Sequence, residues 1–173
     1  MVAAGQGFGN GRVAPAGPLR ETVNSGLARA DAIILIGTAE ETEAYLSDWQ
    51  GQIPCPVIEA RLKVLPTGQD WAGLRCLAFA GIGRPEKFFK TLYDLGANVV
   101  RTQALDDHQP LSDTLMTRLS SEAASLGAQL VTTEKDAVRL PADYQGQVLT
   151  VPIRLQFKDR DQLSALIDQT LAE

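Results

Sequence analysis

The chain is poor in the residues that build metal cages and disulfide frameworks. Its 173 residues include one histidine and two cysteines, and Cys55 and Cys76 form no C-x-x-C pair. A disulfide-rich scaffold and a zinc site built on imidazoles or on a C-x-x-C pair are therefore excluded. We expect both cysteines to be reduced thiols.

Long apolar runs and an excess of positive charge are also missing. No stretch approaches the ~20 apolar residues that a membrane-spanning helix needs, and the first residues lack the apolar centre of a secretory signal. The formal net charge is -5, whereas nucleic-acid binding favours a basic surface. These absences predict a cytoplasmic protein that does not bind nucleic acid.

Short apolar runs alternate with amphipathic segments along most of the chain, which is 45% hydrophobic. The runs predict strands over 31–37, 74–80, 98–102, 128–131 and 148–151. Helical spacing predicts helices over 85–95 and 112–126, and a last helix begins after Asp159 or Asp161 with its core face formed by Leu163, Leu166, Ile167 and Leu171. Alternating strands and helices predict an α/β fold with a mainly parallel sheet flanked by helices.

One segment departs from this alternation. Residues 53–66 alternate apolar and polar side chains only loosely, and prolines stand at both ends of the segment. Because proline cannot donate to a sheet ladder, we expect an edge strand or a bridging hairpin between two parts of the structure.

Four loops are candidates for ligand binding. In a parallel sheet, ligands gather beyond the carboxyl ends of the strands, where loops meet helix N-termini. The loops are the glycine-rich opening tract at 4–21 and the segments 81–85, 106–110 and 132–136. We expect their side chains to converge.

The turn at 81–85 has two glycines followed by a predicted helix N-terminus, an arrangement that suits an anion. Glu86 stands where a dinucleotide motif would have its third glycine, so that motif is absent. A tight strand-to-helix turn explains Gly81 and Gly83 equally well. Arg84 favours the anion interpretation.

Two further loops carry groups suited to chemistry. His108 follows Asp106 and Asp107, and its near-neutral pKa suits proton transfer; a surface histidine in an Asx-type turn is the alternative. Thr133 and Lys135 could hold a phosphate through a hydroxyl and a charge, although a capped helix start explains Thr133 as well.

Several blocks of the sequence together resemble the tetraacyldisaccharide 4'-kinase family. They are GNGRVAPAGPLRE at 9–21, GLARAD at 26–31, AFAGIGRPEKFF at 78–89, the Asp107–His108 pair, and LVTTEKDAVR at 130–139, in the order in which the family has them. The resemblance implies a P-loop kinase-like core, a second α/β region and a short two-stranded linker.

The resemblance also implies a division of the chain. Residues 1–52 would be a remnant of the P-loop kinase core, 53–71 the β linker, and 72–173 a C-terminal α/β domain. The chain has no G-x-x-x-x-G-K-[ST] loop, which in such kinases holds the β- and γ-phosphates. We therefore expect it to be the C-terminal portion of a longer enzyme and to be inactive alone.

The implied activity is transfer of the γ-phosphate of ATP, with Mg²⁺, to the 4'-hydroxyl of a tetraacylated disaccharide 1-phosphate in lipid A biosynthesis. The enzyme would work at the cytoplasmic face of the bacterial inner membrane, with peripheral contact through a preceding N-terminal part. The partner would be the lipid A disaccharide precursor.

Residue roles follow from the same resemblance. Glu21 would bind the metal ion and Arg20 the nucleotide phosphates. His108 would activate the sugar hydroxyl together with an aspartate from the other half, and Asp107 would mainly shape the catalytic loop. Further cofactor-binding residues would be Gly81, Gly83, Arg84, Thr133 and Lys135.

Two other functions use the same loops. The chain could be a nucleotide- or small-molecule-binding α/β module without catalysis. It could also be a subunit whose partner polypeptide supplies the phosphate-binding loop.

Overall fold

A computed structural model describes residues 1–107 and 109–172. The chain forms two compact units, one comprising Met1–Lys63 with Arg154–Glu173, the other Val64–Ile153. Each unit contains a four-stranded sheet, and the neighbouring strands whose register the structure describes run parallel. The predicted α/β class with mainly parallel sheets is confirmed.

The sheet of the first unit has the order β1-β2-β3-β8. The strands and helices of this unit are β1 (Val2–Ala3), α1 (Val23–Leu27), β2 (Ile33–Ile36), α2 (Ala39–Asp48), β3 (Val57–Val64), β8 (Ile153–Phe157) and α6 (Arg160–Leu171). Helix α2 was not predicted from the sequence. It begins with a capping box in which Thr38 and Glu41 satisfy each other's backbone N–H groups.

The edge position predicted for segment 53–66 was wrong. β3 lies between β2 and β8 in the sheet order, and the segment forms one strand rather than a hairpin. The prolines at 54, 56 and 66 fall outside Val57–Val64, so they remove no donor from the ladder. The second neighbour of β3 is β8, which comes from residues far along the chain.

The predicted domain boundaries at 53 and 72 stay a prediction, although Arg154–Glu173 belongs here to the first unit.

The opening tract is an ordered loop that packs on α2. Phe8 contacts the rings of Tyr45 and Trp49, with centroids 5.8 and 4.8 Å away. The Asn10 side chain donates to the carbonyl of Ala16 at 2.9 Å and accepts from the N–H of Arg12 at 3.1 Å. Asn10 therefore closes the glycine-rich loop on itself.

The sheet of the second unit has the order β5-β4-β6-β7. Its elements are β4 (Arg75–Ala80), α3 (Pro85–Asp94), β5 (Asn98–Ala104), α4 (Asp113–Ser125), β6 (Gln129–Thr133), α5 (Glu134–Ala137), a 3₁₀ turn (Ala142–Tyr144) and β7 (Leu149–Val151). The strands and the bounds of α3 and α4 confirm the sequence predictions to within about two residues.

The central strand β4 is buried on both faces. Leu77 and Phe79 belong to the core cluster that includes Met116 and Leu119 of α4. Cys76, Ala78 and Ala80 belong to the opposite cluster, which includes side chains of α3. This alternation follows from the two-residue period of a strand. Cys55 and Cys76 are free thiols, and burial raises the pKa of Cys76.

The core face predicted for the last helix was wrong. Asp159 caps α6 as expected, because its carboxylate accepts hydrogen bonds from the N–H groups of Asp161 and Gln162. No described residue of α6 is buried, however, and Ile167 and Leu171 are 47% and 80% exposed. Helical spacing sets which side chains share a face, but burial also needs a neighbour that covers the face.

Among the described residues, no helix is long and apolar enough to cross a membrane.

Candidate functional site

The carboxyl ends of β4, β5 and β6 lie side by side in the second unit because these strands are parallel neighbours. The turn after β4 begins at Gly81, the segment after β5 contains Asp106 and Gln109, and α5 follows β6 directly. The N–H of Leu105 donates to the carbonyl of Ala80 at 2.9 Å, and this bond extends the pairing into the loops. Three of the loops predicted to carry function therefore meet at one edge.

A buried carboxylate lies at the centre of this edge. Asp136 is 0% exposed, and its Oδ2 accepts from the N–H of Gly81 at 3.1 Å and from the hydroxyl of Thr133 at 2.7 Å. Its Oδ1 accepts from the guanidinium of Arg139. A buried charge is tolerated only when it is paired and hydrogen-bonded, and both oxygens of Asp136 meet that requirement.

Arg139 connects three segments through its guanidinium. Besides Asp136, its nitrogens donate to the carbonyls of Gln109 at 3.3 Å, Gly81 at 3.4 Å and Lys135 at 3.3 Å. The planar fork of arginine directs several N–H groups at fixed angles, which suits such multiple contacts. We call Gly81, Gln109, Thr133, Asp136 and Arg139 the edge network.

Gly81 is required for the close packing of the edge network. A Cβ atom at this position would lie 3.2 Å from the carbonyl oxygen of Asp106 and 3.3 Å from atoms of Arg139 and Asp136. At Gly83, nothing lies within 4 Å of such an atom, and the backbone there has no positive φ.

Gly81→Ala is therefore expected to lower the free energy of unfolding by about 1–3 kcal/mol, the usual cost of overpacking. Gly83→Ala is the matched control, and we expect a change of no more than about 1 kcal/mol, in the stabilising direction. Urea unfolding followed by circular dichroism measures both. Equal stability of the two variants would contradict the packing at Gly81.

The structure assigns local roles to several of the predicted binding residues. The hydroxyl of Thr133 caps α5 by accepting from the N–H of Asp136 at 3.2 Å, and the N–H of Gly81 is donated to Asp136. Lys135 is exposed, and Arg84 is half-buried at the start of α3, where among the described residues no side chain caps the helix. Whether any of these residues contacts a nucleotide stays a prediction.

His108 lies outside the described residues, so its predicted catalytic role has no structural account. Asp107, its predicted neighbour in catalysis, is exposed. The residues on either side are fixed: the N–H of Asp106 donates to Oε1 of Gln109 at 3.1 Å, and the N–H of Gln109 donates to the carbonyl of Asp106 at 2.9 Å.

The predicted nucleotide residues of the opening tract lie in the first unit. Arg20 and Glu21 line a cavity of about 450 Å³ together with Arg29, Val23 and Leu27. The Glu21 carboxylate accepts two bonds from the Arg29 guanidinium, both at 2.5 Å. These bonds lower the pKa of Glu21.

An ionised Glu21 has the right chemistry for Mg²⁺. Among the described residues, no group of three or more histidine, cysteine or acidic side chains could hold a metal by itself. Mg²⁺ in nucleotide sites is commonly held by one or two carboxylates, water and substrate phosphates. Glu21 therefore fits as one ligand of such a site, provided that the carboxylate leaves Arg29.

Sequence reasoning missed Asp136 and Arg139. Both lie within the block at 130–139, in which binding roles were predicted for Thr133 and Lys135. One signal was available, because Asp136 and Arg139 are three residues apart, the spacing at which helical side chains of opposite charge pair.

Comparison with known proteins gives consistent matches over nearly the whole chain. The family model described as tetraacyldisaccharide-1-P 4'-kinase matches residues 1–172. The tetraacyldisaccharide 4'-kinase of Jannaschia sp. (strain CCS1) is 53% identical over 171 residues, which are 99% of this chain and 52% of the relative. That of Rhodospirillum rubrum is 47% identical over 171 residues, again 99% and 52%.

A solved structure is also similar. The crystal structure of LpxK from Aquifex aeolicus in complex with ATP matches with a TM-score of 0.64 and 25% identity, covering 92% of this chain and 48% of that one. The likeness supports the predicted kinase-like fold class. The chain spans about half the length of the relatives it matches.

Proposed function

Because the chain belongs to the tetraacyldisaccharide-1-P 4'-kinase family, we propose that it is part of an enzyme that transfers the γ-phosphate of ATP to the 4'-hydroxyl of a tetraacylated disaccharide 1-phosphate. The observation that carries the proposal is the 53% identity to the Jannaschia kinase over 171 residues. The ATP bound to the Aquifex relative supports ATP as the phosphoryl donor.

Phosphoryl transfer depends mainly on alignment and on neutralising the charge of the phosphates. In the proposal, Arg20 contributes positive charge at the nucleotide and Glu21 is a ligand of Mg²⁺. Mg²⁺, when bound, neutralises charge on the phosphates. The place of Glu21 beside Arg20 at the wall of one cavity supports the two roles together.

His108 would accept the proton of the sugar hydroxyl as it attacks. An imidazole has a pKa near neutrality, so a positioned histidine can take this proton at physiological pH.

The proposal places the reaction at the cytoplasmic face of the inner membrane. An acylated substrate is retained in a bilayer by its chains, which supports that location.

The proposal is tested by completing the enzyme. The part of the Jannaschia kinase outside the matched segment is joined to this chain in the order of the relative's own sequence, giving what we call the fused enzyme. With radiolabelled ATP and the tetraacyl disaccharide 1-phosphate, we expect the fused enzyme to form the 1,4'-bisphosphate. The 173-residue chain alone, which has no G-x-x-x-x-G-K-[ST] loop, should form none.

Each other outcome has a distinct meaning. A folded fused enzyme that binds an ATP analogue without phosphorylating the lipid would favour a non-catalytic binding module. Phosphorylation by the 173-residue chain alone would overturn the expectation that it needs a separate phosphate-binding part. Co-purification of the native chain with a polypeptide that contains a Walker A motif would favour the two-subunit alternative.

A further inference from the structure

We propose that Asp136 and Arg139 are a positioning pair for phosphoryl transfer: they hold the segment on either side of His108 against the end of the central strand β4. The inference rests on the proposed function for its consequence in catalysis. It names two residues to which neither the sequence analysis nor the family match assigned a role.

The first support is the set of segments that the pair joins. Arg139 donates to the carbonyl of Gln109, which follows His108 in the chain, and to the carbonyl of Gly81, which follows β4. Asp136 accepts from the N–H of Gly81 and from Thr133 at the end of β6. One ion pair thus connects the ends of three neighbouring strands.

The second support is the close approach of backbone to backbone at the same place. A Cβ on Gly81 would lie 3.2 Å from the carbonyl oxygen of Asp106, which precedes the Asp107–His108 pair. Asp106 and Gln109 therefore both lie against this network, Gln109 through its bond from Arg139 and Asp106 through its closeness to Gly81.

The third support is the position of the charge. Asp136 is 0% exposed and the Arg139 side chain is 28% exposed. Well-packed apolar residues stabilise an interior as well as a buried ion pair does, so a buried pair contributes little net stability. This pair lies at the ligand-binding edge of a parallel sheet, and a directional, many-bonded pair there fixes loop geometry in a way that apolar contacts do not.

The pair touches neither substrate nor proton in this proposal. Its effect is on alignment, and a displacement of about 1 Å in a reacting group can lower a rate by about 100-fold. The step that slows is transfer to the sugar hydroxyl. Gly81 and Thr133, which were predicted to bind the cofactor, serve the edge network in this inference, and binding of ATP is therefore expected to be unaffected.

The test uses Arg139→Lys and Asp136→Asn in the fused enzyme. Lysine keeps the charge, but its three donors lie on one nitrogen, whereas Arg139 reaches its partners from three separate nitrogens held in a plane. We expect kcat to fall about 10- to 100-fold for each variant, whereas KM for ATP changes less than about three-fold. The control is Asp94→Asn, which breaks the exposed Lys90–Asp94 pair on α3 and should leave kcat unchanged.

Chemical rescue separates positioning from a merely structural role. In Arg139→Ala, millimolar guanidinium should restore part of kcat, because the native guanidinium is partly exposed and a small cation can enter its place. Melting temperatures identify variants that fail to fold, and if Asp136→Asn is one of them, Arg139→Lys decides the matter. A folded Arg139→Lys variant with unchanged kcat would overturn the proposal.

Hydrogen exchange distinguishes failure of this inference from failure of the proposed function. If the unsubstituted fused enzyme is inactive, the proposed function fails. Amide exchange of the native 173-residue chain and its Arg139→Lys variant then tests the pair. Faster exchange over 81–84 and 105–112 in the variant, with exchange over α3 unchanged, supports the tether; equal exchange of the two chains over those segments overturns it.

Discussion

Replacing His108 with alanine in the fused enzyme is expected to lower kcat by about 10²- to 10⁴-fold, the range found for a positioned general base. The sugar hydroxyl loses its proton as it attacks the γ-phosphate, and an imidazole is the side chain with a pKa suited to accept it at neutral pH. His108 is the single histidine of the chain, so no second imidazole of this chain can replace it.

Steady-state kinetics with the lipid and ATP as separately varied substrates measure the loss. KM for ATP should stay within about three-fold, because the substitution removes an interaction made in the transition state. Asp107→Asn is the matched neighbour, and we expect a smaller loss since Asp107 is proposed to shape the loop. An unchanged kcat in a folded His108→Ala enzyme would assign His108 to structure.

The second large effect is on stability. Phe79→Ala is expected to lower the free energy of unfolding by about 3–5 kcal/mol, through lost burial and the cavity left behind. Phe79 is 0% exposed on the central strand β4 and belongs to the core cluster that includes Met116 and Leu119. Total stabilities of about 5–15 kcal/mol make this a large fraction of the whole.

Urea unfolding of the 173-residue chain, followed by circular dichroism, measures this loss. Tyr93→Ala on α3 is the control, because Tyr93 is 55% exposed and its removal should cost less than about 1 kcal/mol. If Phe79→Ala cost no more than Tyr93→Ala, the arrangement of α4 on the β4 sheet would be wrong.

The family-like motifs of the sequence have architectural roles in the structure. In the block at 130–139, Thr133 caps α5 and Asp136 binds the turn after β4, while Lys135 is exposed. In the opening tract, Asn10 closes the loop on itself and Phe8 packs on α2. A side chain within a family-like motif therefore need not be one that meets a ligand.

Helix α2 and strand β3 depart from the predictions for different reasons. The start of α2 carries a local signal, the capping box of Thr38 and Glu41, whereas the position of β3 depends on a contact distant in sequence. The partner of β3 is β8, and Lys158 bonds Glu59 at 2.8 Å across a long stretch of chain. Local periodicity carries no information about such a pairing.

The sequence by itself determined the alternation of strands and helices, the parallel sheet of the second unit and the loops in which function was expected, because these follow from hydrophobic period, caps and glycines. It also determined the family through ordered motifs. Only the tertiary structure decided that β3 is an inner strand, that no described residue of α6 is buried, and that Asp136 and Arg139 join three loops. Each of these depends on contacts between segments that are distant in the sequence. Such contacts decide which strands pair, which side chains are buried and which charges are compensated.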